Sequence, residues 1–239
     1  MSDNLDQWQW ADEDPFDRPL RASNGAGASG SFATSVEQGD LDGHFDFAVT
    51  QEKLGRWEAA ANSFRRVLEI VPGHTRARIG LGACLLHLDE AEEALVCFDQ
   101  CLFSDAEEER ALFGKAVALQ KLGRNEEANQ AYRQLLEIDP DSLETLANLV
   151  ALSVDRRDIA AVADYSRRLL RVDPCSKAAL QGLATQAIWN GDRAAAVDYC
   201  TRIVEVDPLS FEGWCNLGFA QKRMGPVHPA FPYLEIKEA

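Results

Sequence analysis

Residues 109–142 read ERALFGKAVALQKLGRNEEANQAYRQLLEIDPDS, and this stretch decides the fold because the chain repeats its pattern without insertions. Prolines stand at Pro72, Pro140, Pro174 and Pro208, at separations that are multiples of 34 residues. A short unit copied along the chain is typical of repeat proteins, in which each unit packs on its neighbours and the stack offers an extended binding surface.

Two columns of this repeat mark one face of a helix. The first column is small and the second, four residues later, is mostly aromatic or apolar, which is the spacing of neighbours on a helix surface. The first column holds Ala60, Ala94, Ala128, Val162, Ala196 and Ala230, and the second holds Phe64, Phe98, Tyr132, Ser166, Cys200 and Leu234. An earlier apolar column, followed by small residues, predicts another helix in each unit.

A glycine column lies between the two helical patterns of each unit. Because glycine accepts a left-handed backbone at no steric cost, its column predicts the residue that ends the first helix. The column comprises Gly55, Gly123, Gly191 and Gly225, and the same position holds Asp89 and Arg157 in two other units. Aspartate tolerates a left-handed conformation better than arginine does, so the turn at Arg157 departs furthest from the pattern.

These columns resemble the tetratricopeptide repeat. Trp214 to Gly218 follows its opening motif, and Gly123 to Pro140 follows its closing half. The resemblance covers residues 41 to about 225, with Lys115 replacing a leucine and Ala106 replacing the proline. It implies an all-α, right-handed α-solenoid of about five and a half helix hairpins. The expected repeats are 41–74, 75–108, 109–142, 143–176 and 177–210, with a partial copy at 211–239.

The first forty residues have another composition. Acidic residues and the glycine- and serine-rich stretch 23–31 predict a disordered acidic arm at 1–40. Trp8, Trp10 and Phe16 lie among the acids. Two interpretations remain open: a solubilising tail, or a linear motif that folds when it binds.

The resemblance also implies where a ligand binds, because first helices line the concave groove in this family. The groove set transferred by register combines apolar residues with basic ones from the second and third hairpins. It comprises Phe45, Val49, Arg76, Ile79, Ala83, His87, Arg110, Phe113, Val117, Lys121, Ala147, Ala151, Gln181, Thr185, Cys215 and Phe219.

Such a groove suits a protein or peptide ligand that is acidic and carries apolar anchors. The arm is itself such a segment, so we consider that residues 6–17 fold over the groove, against the alternative that they stay free. The acidic carboxy-terminal tail of Hsp70 or Hsp90 is excluded as the ligand. Family members that bind it carry lysine and asparagine where this chain has Phe45, Val49, Gly80 and Gly114, and only Arg110 fits.

Composition narrows the function further. A net charge of −15 argues against nucleic acid and anionic membranes as partners. Few histidines, no recognisable catalytic motif and no CxxC pair predict no enzyme, no cofactor and no metal, with the six cysteines structural. The chain lacks a secretion signal and an apolar span, so we expect a cytoplasmic protein.

Prolines interrupt the last repeat. Pro226, Pro229 and Pro232 fall where a sixth second helix is due, which predicts an irregular tail at 226–239. This end then caps itself irregularly, pairs with another chain as a homodimer, or belongs to a longer protein. The sequence thus predicts a protein-interaction adaptor or scaffold; the alternatives are a self-associating structural protein and the regulatory region of a larger enzyme.

Overall fold

Eleven α-helices follow one another in the part of the chain that the structure, a computed structural model, describes: residues 35–106 and 108–222, with backbone alone for 35–40 and Glu212. They are α1 Ser35–Lys53, α2 Trp57–Ile70, α3 Thr75–His87, α4 Ala91–Ser104, α5 Glu109–Lys121, α6 Asn125–Ile138, α7 Leu143–Asp155, α8 Ile159–Val172, α9 Lys177–Trp189, α10 Arg193–Val206 and α11 Phe211–Lys222. Consecutive helices pair as hairpins, so the all-α fold predicted from the repeat is confirmed.

The helices fall into two units, divided after Pro140. In the amino-terminal unit, α1 to α5 each pack against the next helix, and α3 also contacts α1 and α5. In the carboxy-terminal unit, α7 to α11 pack in the same sequential way, and α7 also contacts α9. Helix α1 begins at Ser35, so residues 35–40, which we assigned to the arm, are helical. The rest of the predicted arm and the predicted tail lie outside the described residues.

A left-handed residue joins the two helices of each complete hairpin. Its φ angle is +67° at Gly55, +63° at Asp89, +70° at Gly123, +54° at Arg157 and +73° at Gly191. In all five turns the next residue donates its N–H to a carbonyl five residues back, at 2.8–2.9 Å. This bond satisfies a carbonyl that the helix end leaves open. The predicted turn column is therefore confirmed at the described positions, including the two that lack glycine.

Polar side chains cap the amino-terminal ends of several helices. Ser142 accepts the N–H of Thr145 at the start of α7, and Ser176 accepts that of Ala179 at the start of α9. At the same register before α3 the cap is His74, whose Nδ1 accepts the N–H of Ala77 at 3.0 Å. An N-cap acceptor satisfies one of the open N–H groups of the first turn.

The aromatic column lies on glycines of neighbouring first helices. Phe98 is fully buried, and a Cβ added to Gly114 or to Gly82 would meet its ring at 2.3 or 2.7 Å. Phe64 occupies the same position against Gly80, at 2.5 Å. Because real Cβ atoms do not approach rings this closely, glycine here is a packing requirement. The sequence carries this signal, because a glycine stands 16 residues after each of these two rings, but sequence reasoning used Gly80 and Gly114 only to exclude the Hsp70 or Hsp90 tail as a ligand.

The left-handed Arg157 leads to a stability prediction. A left-handed conformation destabilises a residue that has a Cβ by about 1 kcal/mol, and replacement by glycine removes this strain from the folded state. Glycine also increases the conformational entropy of the unfolded chain, which offsets part of the stabilisation. We expect Arg157→Gly to stabilise the protein by roughly 0.5 kcal/mol, seen as a higher urea midpoint at unchanged m value by circular dichroism. Arg157→Ala keeps the strain and removes the charge. An equal gain in that variant would show that the exposed guanidinium, and not the backbone, limits stability.

Candidate functional site

An aromatic and cationic cluster forms where α1, α2 and α3 meet in the amino-terminal unit. The ring of Phe45 lies 4.9 Å from that of His74 and 5.9 Å from that of Phe64, centroid to centroid. The guanidinium carbon of Arg76 stands over the Phe45 ring, 5.2 Å from its centroid. Phe45 and His74 are half-buried and Arg76 is exposed. This arrangement presents a cation beside a partly exposed aromatic ring, which are the two elements needed to hold a carboxylate and an apolar anchor.

Other members of the predicted groove set lie in the core of this unit. Ile79 is 1 %, Ala83 2 % and Phe113 7 % exposed, and Phe113 packs edge-on against Tyr132 at 6.0 Å. They therefore offer almost no surface to a ligand, although we expected Ile79 and Phe113 to supply apolar area. Helix α3 contacts both α1 and α5, so these columns serve the packing between helices. Val49 and Val117 remain half-buried and accessible in part.

The remaining basic candidates are engaged by neighbours. Nζ of Lys121 lies 2.9 Å from Oδ1 of Asp89. The ring of His87 stacks on that of Trp57 at 3.8 Å with an interplanar angle of 4°. The charge and backbone N–H of Arg110 act to lower the pKa of Glu108, which burial raises more strongly. The positive potential expected from these side chains is thus partly compensated, and Trp57 is a participant that sequence reasoning missed.

In the carboxy-terminal unit the groove set grows more exposed along the chain. Ala147, Ala151, Gln181 and Thr185 are half-buried, whereas Cys215 is exposed and Phe219 is 58 % exposed. Two neighbours outside the set, Leu209 and Phe211, are 93 % and 82 % exposed. Phe211, Cys215 and Phe219 are spaced by four residues and share one face of α11. Sequence reasoning missed Leu209 and Phe211, although the other repeats carry no aromatic residue at the register of Phe211.

The cysteines are free thiols, and several serve the core. Cys84, Cys101 and Cys200 are buried, whereas Cys175 and Cys215 are exposed. Burial raises the pKa of Cys101 to about 11 and also raises the pKa values of Cys97 and Cys200. A buried thiol held protonated is a poor nucleophile and a poor metal ligand. Within the described residues, no group of three or more His, Cys, Asp or Glu side chains is arranged to hold a metal ion.

Part of this chain matches models of a known repeat family. Residues 53–112 and 109–142 match two family models, each described as "Tetratricopeptide repeat". An uncharacterized protein, y4yS, of Sinorhizobium fredii is 35 % identical over 98 residues, which cover 40 % of this chain and 54 % of the relative. The match thus spans about half the length of that relative.

Solved structures show the same fold. A tetratricopeptide repeat protein from Parabacteroides merdae superposes with a TM-score of 0.69 at 17 % identity, covering 78 % of this chain and 74 % of that one. YrrB, titled a TPR protein with an unusual peptide-binding site, superposes with a TM-score of 0.62 at 16 % identity, covering 76 % of this chain and 94 % of that one. In the described part of this chain, no helix combines the length and apolarity needed to cross a bilayer.

His74 makes the candidate site sensitive to pH. Burial lowers the pKa of His74 below its ordinary value, Arg76 lowers it further, and Asp42 and a backbone hydrogen bond oppose the shift. A lowered pKa means that the folded state binds the proton less well than the unfolded chain. The stabilisation is complete above the unfolded pKa of about 6.5 and is lost as the pH falls towards the folded pKa. Protonation of Nδ1 also removes the acceptor that caps α3.

We therefore expect the amino-terminal unit to lose stability from pH 7 to pH 5, and His74→Ser to weaken this loss. Serine at this register caps α7 and α9, so the variant retains a cap that does not titrate. Urea midpoints at both pH values, with amide exchange in α3, measure the effect. Parallel pH profiles for the wild type and His74→Ser would assign the dependence to other groups.

Proposed function

We propose that this chain, a tetratricopeptide repeat protein, is an adaptor that binds an acidic protein segment with an aromatic or aliphatic anchor on the first-helix face of its amino-terminal unit. Tetratricopeptide domains generally mediate protein–protein interactions, which supports the class of function. The observation that carries the finer proposal is the position of Arg76 over Phe45. We further propose a role as a non-enzymatic scaffold in the cytoplasm.

Two forces would act together at this cluster. The guanidinium of Arg76 is exposed and offers planar donors to a carboxylate, while its position over the ring restricts its motion. Val49 and Val117 leave part of their apolar surface open on α1 and α5. The protein as a whole carries a charge of −15, so an acidic ligand approaches against the overall field and depends on this local positive charge. Because salt screens the attraction between this cluster and an acidic ligand, we expect binding at the cluster to weaken steeply as the salt concentration rises.

We expect Arg76→Ala with Arg110→Ala to weaken peptide binding about tenfold, or about 1.4 kcal/mol. Peptides of mixed composition are selected on the wild type by display, and the tightest is measured by fluorescence polarisation at two salt concentrations. Arg66→Ala with Arg133→Ala is the matched control, because it removes two exposed arginines from second helices of the same unit. Equal losses in the control and in Arg76→Ala with Arg110→Ala would make the effect one of net charge, and selected peptides without acidic residues would refute the ligand class.

A second candidate function is self-association through the end of the carboxy-terminal unit. Leu209, Phe211 and Phe219 expose large apolar side chains on or beside α11. An apolar surface of this kind marks an interaction site more often than a free surface. This candidate rests on a different unit from the peptide site, so the two functions are compatible and separable by mutation.

A further inference from the structure

Helix α1 carries an apolar face that has no covering helix among the described residues. Phe47 is 52 % exposed, and Gly43 and Thr50 lie exposed on the same side of the helix. Leu54, the residue that follows the last turn of α1, is 59 % exposed. The residues stand at intervals of four, three and four, which places them along one face. We call Gly43, Phe47, Thr50 and Leu54 the α1 end face.

Later first helices show what this face is built to contact. Among the residues at positions equivalent to Phe47, Leu81, Leu183 and Leu217 are 7 %, 2 % and 2 % exposed. Each lies on a helix that packs against the second helix before it: α3 on α2, α9 on α8, and α11 on α10.

Two contacts confirm the direction of this face in later repeats. A Cβ on Gly213, which is equivalent to Gly43, would meet Val204 and Ile203 of α10 at 3.1 and 3.2 Å. Nζ of Lys115, the equivalent of Phe47 in α5, lies 2.7 Å from Oδ1 of Asp99 in α4. In later repeats, the preceding helix therefore covers the face that corresponds to the α1 end face. No described helix precedes α1.

We propose that residues 8–16 of this chain, WQWADEDPF, occupy the α1 end face, with the rings of Trp8, Trp10 or Phe16 packed on Phe47 and Leu54. These residues are separated from the start of α1 by 18 residues and offer large apolar side chains to an apolar surface. The segment is thereby a cap for the first hairpin, on a surface separate from the peptide site at Arg76.

The length of chain between the two parts permits this contact. Along a helix, Phe47 lies about 18 Å from Ser35, at 1.5 Å per residue. Residues 17–34 include the stretch SNGAGASGS, and a glycine-rich chain of that length spans roughly 23 Å on average. The tether therefore matches the distance, which makes the local concentration of the segment high and the contact intramolecular.

Charge fixes the end of α1 at which the acidic part of the segment lies. Asp42 and Asp46 are exposed on the amino-terminal side of Phe47, whereas Lys53 and Arg56 are exposed beside Leu54. Asp12, Glu13 and Asp14 follow Trp10 in the segment. Like charges repel and opposite charges attract, so these acids lie towards Leu54 and away from Asp42.

Fluorine NMR of the full chain labelled with 5-fluorotryptophan tests the proposal. The signals of Trp8 and Trp10 are assigned by Trp8→Phe and Trp10→Phe, and Trp57, Trp189 and Trp214 serve as internal references. We expect Phe47→Ser and Leu54→Ser to move the Trp8 and Trp10 signals to their positions in urea. Phe103→Ser, a change at a 95 % exposed phenylalanine of α4, should leave them in place.

Amide exchange provides a second measurement that does not depend on the tryptophan signals. Replacing Trp8, Trp10 and Phe16 together by alanine should speed exchange in α1 residues 43–53 about tenfold, because the cap no longer holds the first hairpin closed. Exchange in α9 should not change. Circular dichroism of each variant confirms that the helices are retained.

Three results would overturn the proposal. The first is that Trp8 and Trp10 do not respond to Phe47→Ser and Leu54→Ser. The second is that they respond to Arg76→Ala instead, which would place the segment on the groove. The third is a wild type that sediments as a dimer and becomes a monomer with Phe47→Ser, which would make a second copy the occupant. The peptide-binding measurement with Arg76→Ala and Arg110→Ala is independent of all three.

Discussion

Within each of the two units, the fold depends on the contact between a second helix and the first helix that follows it. A first helix presents small residues and a leucine to the helix before it, and the second helix fills that face with a ring or an aliphatic side chain. Phe64 on Gly80 and Phe98 on Gly114 are two instances of this contact. Because one hairpin cannot bury this face alone, burial requires the next hairpin, and the repeat propagates. The same requirement explains why apolar side chains lie exposed on α1, which no described helix precedes.

Much of this architecture could be predicted from the sequence, because the repeat fixes the helix period and the turn chemistry locally. The glycine column gave the left-handed turns, and Arg157 adopts the same conformation because both flanking helices are determined by their own packing. The accessibility of the site was less predictable. Helical register places Ile79 and Phe113 on the first-helix face, but it does not state how closely the neighbouring first helix approaches that face. The structure buries both residues.

Electrostatics shows the same limit of sequence reasoning. Counting basic residues on first helices predicts a positive groove, yet two of these cations contact carboxylates of the preceding hairpin: Lys115 contacts Asp99, and Lys121 contacts Asp89. Exposed pairs of this kind contribute at most about 1 kcal/mol to stability. Their larger effect is to reduce the field that a ligand meets. These ion pairs between repeats join side chains 16 or 32 residues apart in the sequence, and no local sequence pattern specifies them.

Phe98 has a consequence for how this protein responds to mechanical load. Its ring is in close contact with Gly82 of its own hairpin and with Gly114 of the next, so it belongs to two repeats at once. Pulling the second hairpin away from the third exposes this ring and opens the packing of α3 on α4 in the same event. We therefore expect these two hairpins to unfold together under tension, although they are separate repeats in the sequence.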